Sequence, residues 1–437
     1  MERTYIKDLK DHKGEEVVIA GWVDVRRDQW KMVFMNMRDM SGKVQCVVLP
    51  SHAEALEEVK EIRTEWVLSL KGIVNERPEK NRNAGVQNGD IELEVTNIEV
   101  LSKAQELPFE LGTEVNLDTY LDYLPFTLRS QKGQDIFRVQ ETIIQAFREA
   151  LKKEEFVEFQ APAIVGGDAE GGATAFKVDY YYDKTAFLAT SPQFYKQIMA
   201  GAYERVFTTP KIFRGEKHAT TRHLSELTQM DFEMAFIKSH LDVMNVLERV
   251  VKNMVARVVE KHGEVLKRFN VVTPLVPEKF PILRLTEAQK VLGIAEEPDL
   301  DPEGEKKICE WAKKEHDSDF IFITHFPTAK RAWYSFDDPE NPEYTLSFDL
   351  LFRGLEINSG SQRIHDYEYL VKKMKERGLD PEKFEFYLQT FKYGMPPHGG
   401  CSTGLERMTA RMLELSNVKE AALFPRDLNR IDNRLSQ

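Results

Sequence analysis

Four groups of residues in this sequence have the types and spacing to do chemistry on nucleotides. Phe213-Arg214-Gly215-Glu216 reads as a strand end that opens into the polar loop 217–221 and closes at Arg222-His223. A strand, a basic loop and a returning strand can wrap a nucleotide. Arg214 offers a bidentate contact to phosphate, and Glu216 can accept from an exocyclic amine. The run HGGCSTGLER (398–407) sets glycines before a helix and puts Arg407 in its first turn. Glycine lets a flat or charged ligand lie against the backbone, and an arginine there can clamp a terminal phosphate. Asp349 and Glu356 fall on neighbouring strands, where alternation can turn both toward one cleft. Paired carboxylates beside a triphosphate suit Mg²⁺, a hard cation that takes oxygen ligands and keeps waters. Finally, Arg26, Arg27, Lys31, Phe34 and Arg38 interleave cations with an aromatic ring, and Gln45 lies on the adjoining strand. That composition suits single-stranded nucleic acid, with bases on the ring and phosphates near the cations. Each group also has a plainer reading: a solvated hairpin tip, a glycine turn, exposed sheet charge, or Arg27 and Arg38 paired with Asp28 and Asp39. Neither GxxxxGK[ST] nor GxGxxG occurs, so ATP, if bound, must be held by side chains and metal ions.

These residues need elements to position them. Residues 17–23, 32–37, 44–49, 66–74 and 91–101 are short runs rich in Val, Ile and Met, which predicts five strands. A helical stretch at 53–62 follows the third. That order is the one of an OB-fold barrel, an architecture that binds oligonucleotides; a generic small barrel is the alternative. Residues 104–130 read as a linker or hinge, so the barrel is assigned to 1–103 and a second domain to 131–437. In the second domain, apolar spacing predicts helices over 135–153, 191–201, 241–262, 365–377, 384–393 and 404–415. Strands are expected at 157–160, 205–213, 227–237, 320–325, 345–352 and 355–358. The strands after residue 200 are joined by loops and hairpins, which predicts a largely antiparallel sheet flanked by helices. The fold class is therefore multidomain: a β barrel followed by an α+β domain.

Composition sets the outer limits. The chain has 437 residues, 42% hydrophobic and 30% charged, enough apolar material for two or three cored domains. No apolar run approaches the ~20 residues of a membrane span. The N-terminus is charged where a signal peptide is apolar, and the three cysteines form no CxxC, so a cytoplasmic protein without a disulfide framework or a cysteine-based zinc site is expected. With 60 basic against 72 acidic residues the net charge is −12. Nucleic acid must then be bound by local basic patches rather than bulk charge.

Taken in order, the motifs resemble those of class II aminoacyl-tRNA synthetases, most closely the aspartyl family in its compact archaeal-type layout. The resemblance rests on 156–162 as the first motif, FRGEKHATTRHLSELTQMDFEMAF (213–236) as the second, GGCSTGLER (399–407) as the third, and the closing LFPRD (423–427). In the barrel it rests on GWVDVRRD (21–28) and VFMNMRDMSGKVQ (33–45). It implies a class II catalytic domain with an antiparallel sheet, behind an anticodon-binding OB-fold in which Arg27, Phe34 and Gln45 touch the anticodon. It implies an L-aspartate pocket of Glu170, Gln193, Lys196, Arg214, Asp231, Ser359 and Arg363, with Glu233 on the same strand as Asp231. ATP is implied to meet Arg214, Glu216, Arg222, His223, Leu224, Glu356, Gly404, Leu405, Glu406 and Arg407, with Mg²⁺ on Glu356, Ser359 and Asp349. Arg214 and Arg407 carry the catalytic role. The implied reaction is aspartate activation by ATP and transfer to tRNA(Asp), by a homodimer built around Pro162. The sequence leans toward charging tRNA(Asn) as well. An asparaginyl enzyme and a non-catalytic RNA-binding paralogue are the rival readings.

Overall fold

The computed structural model describes residues 2–167, 175–217 and 220–435, and the chain divides into two compact units, Met1–Glu110 and Leu111–Gln437. In the first unit the strands are β1 (Glu16–Gln29), β2 (Met32–Asp39), β3 (Gly42–Val48), β4 (Val67–Glu76) and β5 (Ile91–Ser102), with helix α1 (Ala53–Glu58) after the third. They close into a barrel in the order β1-β2-β3-β5-β4. The closure follows from period-two alternation: Val17, Ile19 and Val23 of β1 and Val33, Met35 and Met37 of β2 point inward and are buried. This is the expected OB-fold.

The second unit opens with α2 (Leu117–Asp122), α3 (Leu124–Thr127) and α4 (Gln131–Lys153), so two short helices lie inside the stretch read as a linker. Asn116 starts α2 by accepting from the Thr119 N–H, and Ser130 starts α4 in the same way from Gly133. Such caps satisfy backbone donors that a helix start leaves open. There follow β6 (Val157–Glu158), β7 (Ile164–Val165), β8 (Lys177–Tyr180), β9 (Lys184–Leu188), α5 (Gln193–Tyr203), β10 (Arg205–Thr208), β11 (Lys211–Phe213), β12 (Glu226–Ala235) and α6 (His240–Arg268). The chain continues through β13 (Ile282–Arg284), α7 (Leu285–Leu292), α8 (Pro302–His316), β14 (Phe320–Thr324), β15 (Ser347–Phe352), β16 (Glu356–Arg363), α9 (Tyr367–Glu376), α10 (Glu385–Lys392), β17 (His398–Gly404) and α11 (Leu405–Met412).

The main sheet runs β13-β14-β15-β16-β17-β12-β10-β6, with β11 paired to β12. It is antiparallel except for the β13–β14 and β10–β6 pairs. One face packs on α4 and α6, whose buried stripes include Ile136, Val139, Ile143 and Phe147 and Val243, Leu247, Val250 and Met254. Phe320 stacks on Phe352 at 4.2 Å and on Phe280 at 4.7 Å beneath this face. The other face is polar and carries the site. Among the described residues no helix is long and apolar enough to cross a membrane.

The second domain departs from expectation in several places. Strands β7 and β13, the β8–β9 hairpin and helices α7 and α8 were not foreseen, and the strand expected over 205–213 is split into β10 and β11. The glycine approach to Arg407 is no turn: 398–404 is strand β17, paired on both sides, to β12 and β16.

Candidate active site

Alternation along the central strands builds the site. In β12 Met230, Phe232 and Met234 face the core, while Gln229, Asp231 and Glu233 face the opposite way. Register then lines up polar residues across the sheet: Asp231 lies opposite Ser402, Ser402 opposite Ser359, and Ser359 opposite Asp349. One step on, Glu233 lies opposite Gly400, Gly400 opposite Ser361, and Ser361 opposite Ser347. The glycines are sterically required. A Cβ on Gly400 would collide with the Glu233 carboxylate and the Phe232 carbonyl, and one on Gly360 with the Phe348 ring. Above this floor lies a cavity of about 340 Å³.

One end of the cavity is a buried charge quartet. The Lys196 ammonium donates to Asp231 at 2.9 Å and to the Cys401 carbonyl at 3.2 Å, and lies 3.4 Å from Glu233. Arg363 Nε donates to Glu233 at 3.0 Å, and its other nitrogens donate to Ser361 at 2.6 Å and the Gly400 carbonyl at 2.9 Å. Burial pushes the Glu233 carboxyl up, but Arg363 and Lys196 outweigh it, so the group lies below its ordinary range. Asp231 Oδ1 is buried without a hydrogen-bond partner, which leaves an unused acceptor on a residue that lines the cavity. Gln193 is oriented from beneath. His398 Nδ1 donates to the Pro396 carbonyl at 2.9 Å, so its Nε2 accepts from the Gln197 amide at 2.7 Å. Gln197 Oε1 in turn accepts from Gln193 Nε2 at 2.9 Å and from the Tyr387 hydroxyl at 3.0 Å. That polarity turns the Gln193 carbonyl oxygen away from the network, toward the cavity Gln193 lines. Burial pushes the His398 imidazole down to about 4, which keeps it neutral and the network intact.

The other end is rich in arginine. Arg214, Glu216, Arg222, His223 and Arg407 all line the cavity, and Leu224, Leu227 and Val418 give it an apolar wall. Arg407 donates to the Glu356 carbonyl at 3.0 Å and lies 3.3 Å from its carboxylate. Arg222 is held by Glu305 at 2.9 Å, and His223 Nδ1 meets the Thr220 hydroxyl at 2.6 Å. Two expected ATP contacts have other employment. Glu406 spends its carboxylate on the Thr228 N–H, both oxygens at 3.0 Å. Leu405 is buried core and, unlike its neighbours Gly404 and Glu406, does not line the cavity.

Three residues of this region carried no signal in the sequence. Arg331 donates to Asp349 at 2.6 Å and to Ser359 at 3.0 Å, with its guanidinium 3.7 Å from the Phe326 ring centre. Gln229 lines the cavity beside Asp231, and Glu305 anchors Arg222. Each sits outside the segments whose spacing attracted notice, or among them without a partner visible from sequence. Glu170 lies outside the described residues.

Among the described residues no group of three or more His, Cys, Asp or Glu side chains could hold a metal. Asp349 and Glu356 are two carboxylates close enough to interact: burial and the Glu356 charge push the Asp349 carboxyl up while Arg331 opposes them. Two carboxylates completed by phosphate oxygens and water are what Mg²⁺ takes in nucleotide sites, so Glu356 and the unpartnered Oδ1 of Asp349 fit, while Asp349 Oδ2 and Ser359 are already committed to Arg331.

In the first unit, Arg27 and Phe34 face each other across β1 and β2, and Asn36 faces Gln45 across β2 and β3. Gln45 donates to Glu92 at 2.9 Å. Arg38 is not part of this surface: it is buried and bonded to Glu65 at 2.7 Å. The Arg38–Asp39 and Arg27–Asp28 pairs of the plainer reading do not form; Asp28 is paired with Arg26 at 2.8 Å.

Comparison with known proteins places both units. Residues 116–428 match the model of class II tRNA synthetases (D, K and N), and residues 17–101 match the OB-fold nucleic acid binding domain. The aspartate–tRNA(Asp/Asn) ligase of Thermus thermophilus is 40% identical over 98% of this chain and 99% of its own. The aspartate–tRNA(Asp) ligase of Pyrococcus abyssi is 38% identical over 96% of each. Among solved structures, asparaginyl-tRNA synthetase from Pyrococcus horikoshii complexed with asparaginyl-adenylate superposes with a TM-score of 0.91 at 32% identity, covering 99% of both chains.

Proposed function

Since this chain belongs to the class II tRNA synthetases of the D, K and N group, we propose that the quartet end of its cavity takes L-aspartate and the arginine end takes ATP, which makes it an aspartate–tRNA ligase. The observation that carries the choice of amino acid is the charge balance of Lys196, Arg363, Asp231 and Glu233. Aspartate brings an ammonium for Asp231 Oδ1 and a β-carboxylate for Lys196 and Arg363, so the buried set stays neutral. Asparagine brings only the ammonium and leaves a buried charge uncompensated, which is costly.

The α-carboxylate, set on Arg214, attacks the α-phosphorus of ATP in line. The bond from that phosphorus to the bridging oxygen breaks, and pyrophosphate leaves with the electron pair. Arg407 and His223 hold the outer phosphates, and Arg222 completes that wall while tied to Glu305. Mg²⁺ held by Asp349 and Glu356 would supply charge neutralisation on the phosphates. The terminal ribose hydroxyl of tRNA then attacks the aspartyl carbonyl and AMP departs. The chain's own work is positioning and electrostatic stabilisation. No cysteine serves as nucleophile: all three are free and buried, and burial pushes the Cys401 thiol up to about 12. Free thiols fit the reducing cytoplasm.

The barrel is read as the anticodon reader through Arg27, Phe34 and Gln45. Relaxed charging of tRNA(Asp) and tRNA(Asn) is favoured by the Thermus relative and by Asp24, whose carboxylate is neutralised by Lys43 at 2.7 Å and so repels neither anticodon. A homodimer is favoured by β6, a sheet-edge strand with Val157 exposed, followed by exposed Ile164. The test is ATP–pyrophosphate exchange with aspartate against asparagine, followed by aspartylation of each tRNA transcript. Exchange that prefers asparagine would overturn the aspartate reading, and exchange with neither would favour a non-catalytic RNA-binding protein.

A further inference from the structure

Trp30 breaks two physical rules at once, and nothing in the barrel compensates. It forms with Lys31 the two-residue turn between β1 and β2, beyond the last pair Gln29–Met32. Its φ is +59°, a left-handed value that two-residue hairpins ordinarily give to glycine or asparagine and that strains a bulky residue. Its side chain is 99% exposed, the most of any large apolar residue described. Strained backbone and apolar surface left in water both cost stability, and a site that keeps both is a candidate for function.

The surroundings indicate the partner. The hairpin end carries Arg26, Arg27 and Lys31 against the one carboxylate Asp28, in a chain of net charge −12. Arg27 and Lys31 are exposed, and Arg27 sits opposite Phe34, the ring assigned to an anticodon base. At ~3.4 Å per residue the turn lies roughly 10 Å beyond Phe34 along the same hairpin, within reach of the same single strand. An aromatic ring among cations beside such a strand is the composition of a stacking platform, and the loop between the first two strands is one of the OB-fold's oligonucleotide contacts.

We propose that Trp30 stacks on a base of the tRNA anticodon loop outside the one held on Phe34, so that two rings with cations between them grip the strand. This rests on the reading of the barrel as the anticodon reader. Because every base has a π face, the contact adds affinity without reading identity, and tRNA(Asp) and tRNA(Asn) gain equally.

The experiment measures binding of each anticodon stem-loop RNA to the full-length protein and to Trp30→Gly, Trp30→Phe and Phe34→Ala. Glycine relieves the left-handed strain, so Trp30→Gly is not expected to unfold the hairpin. It should weaken both RNAs about tenfold and raise the KM for tRNA rather than lower kcat, while Trp30→Phe keeps most of the affinity. Wild-type binding by Trp30→Gly alongside a loss in Phe34→Ala overturns the Trp30 proposal alone. Wild-type binding by both variants overturns the barrel reading as well. A loss confined to one of the two RNAs would make Trp30 a reader of identity and overturn the stacking role.

Discussion

In the pocket proposed for aspartate, Lys196 and Arg363 stand as halves of a balanced set with Asp231 and Glu233 rather than as free cations. Arg363→Leu strands Glu233 in a dry site with Lys196 at 3.4 Å as its remaining cation. Removing one member of a buried charge pair costs on the order of 2–5 kcal/mol, so aspartate-dependent pyrophosphate exchange should fall by roughly two or more orders of magnitude. Near-normal exchange would take Arg363 out of the pocket. Lys196→Met removes the cation that offsets Asp231 and Glu233, so its kcat/KM should fall further for aspartate than for asparagine; an equal fall for both would count against the charge-balance argument. At the end of the cavity proposed for ATP, Glu356→Ala loses the carboxylate that meets Arg407 and that is proposed, with Asp349, for Mg²⁺. Exchange should be abolished, and full Mg²⁺-dependent exchange in that variant would sink the metal assignment.

At the scale of elements, β17 is the piece on which the pocket's geometry depends. Its glycines let β12 and β16 stand close on either side with charged side chains across the gap. Gly400→Ala puts a methyl group where the Glu233 carboxylate lies, an overpacking that typically costs 1–3 kcal/mol. Both the melting temperature and the aspartate exchange rate should drop; retention of both would mean that Glu233 has room to move. Helix α6 carries a different liability at its first turn. His240 is 6% exposed, and both its ring nitrogens lack hydrogen-bond partners. Burial, with the neighbouring His325 adding to it, pushes its imidazole down to about 4 from the usual 6.5. A base depressed in the folded state takes up its proton first in the unfolded chain. Its contribution is therefore intact above pH 6.5 and is lost as the pH falls toward 4. Urea unfolding of the second unit at pH 5 should show up to about 2 kcal/mol less stability than at pH 7 from this group. His240→Phe should flatten that difference, and an unchanged acid limb would remove His240 as its source.

For the molecule as a whole, the proposed reading gives a chain of net charge −12 two local cationic contacts for nucleotides, an arginine-rich cavity in one unit and a small basic hairpin in the other, in place of bulk attraction. Light scattering at micromolar concentration should give about twice the chain mass, because the sheet ends in an edge strand with exposed apolar residues and such edges are ordinarily covered. A monomer alone would contradict this. Aspartylation of purified transcripts should differ by less than roughly a hundredfold, about 2.7 kcal/mol, between tRNA(Asp) and tRNA(Asn). A larger preference would make the enzyme strict and leave its amino-acid chemistry untouched.

Much of this was legible in residue order, because periodicity is a local property. The alternation in β1 and β2 and the helical spacing in α4 and α6 show in any short window, and the arginines proposed for phosphate, Arg214, Arg222 and Arg407, lie in contiguous motifs. What only the tertiary structure decided are pairings between distant segments. Arg38 looks like a surface cation until the barrel brings it to Glu65, 27 residues away. Arg222 looks free until α8 presents Glu305, 83 residues on. The stretch 398–404 looks like a glycine turn because glycine opposes strands locally, and it becomes a strand because β12 and β16 offer ladder partners on both sides. Which carboxylate meets which cation, and whether a glycine bends or extends, depends on what the fold places within a few ångströms, and a single sequence window holds no measure of that distance.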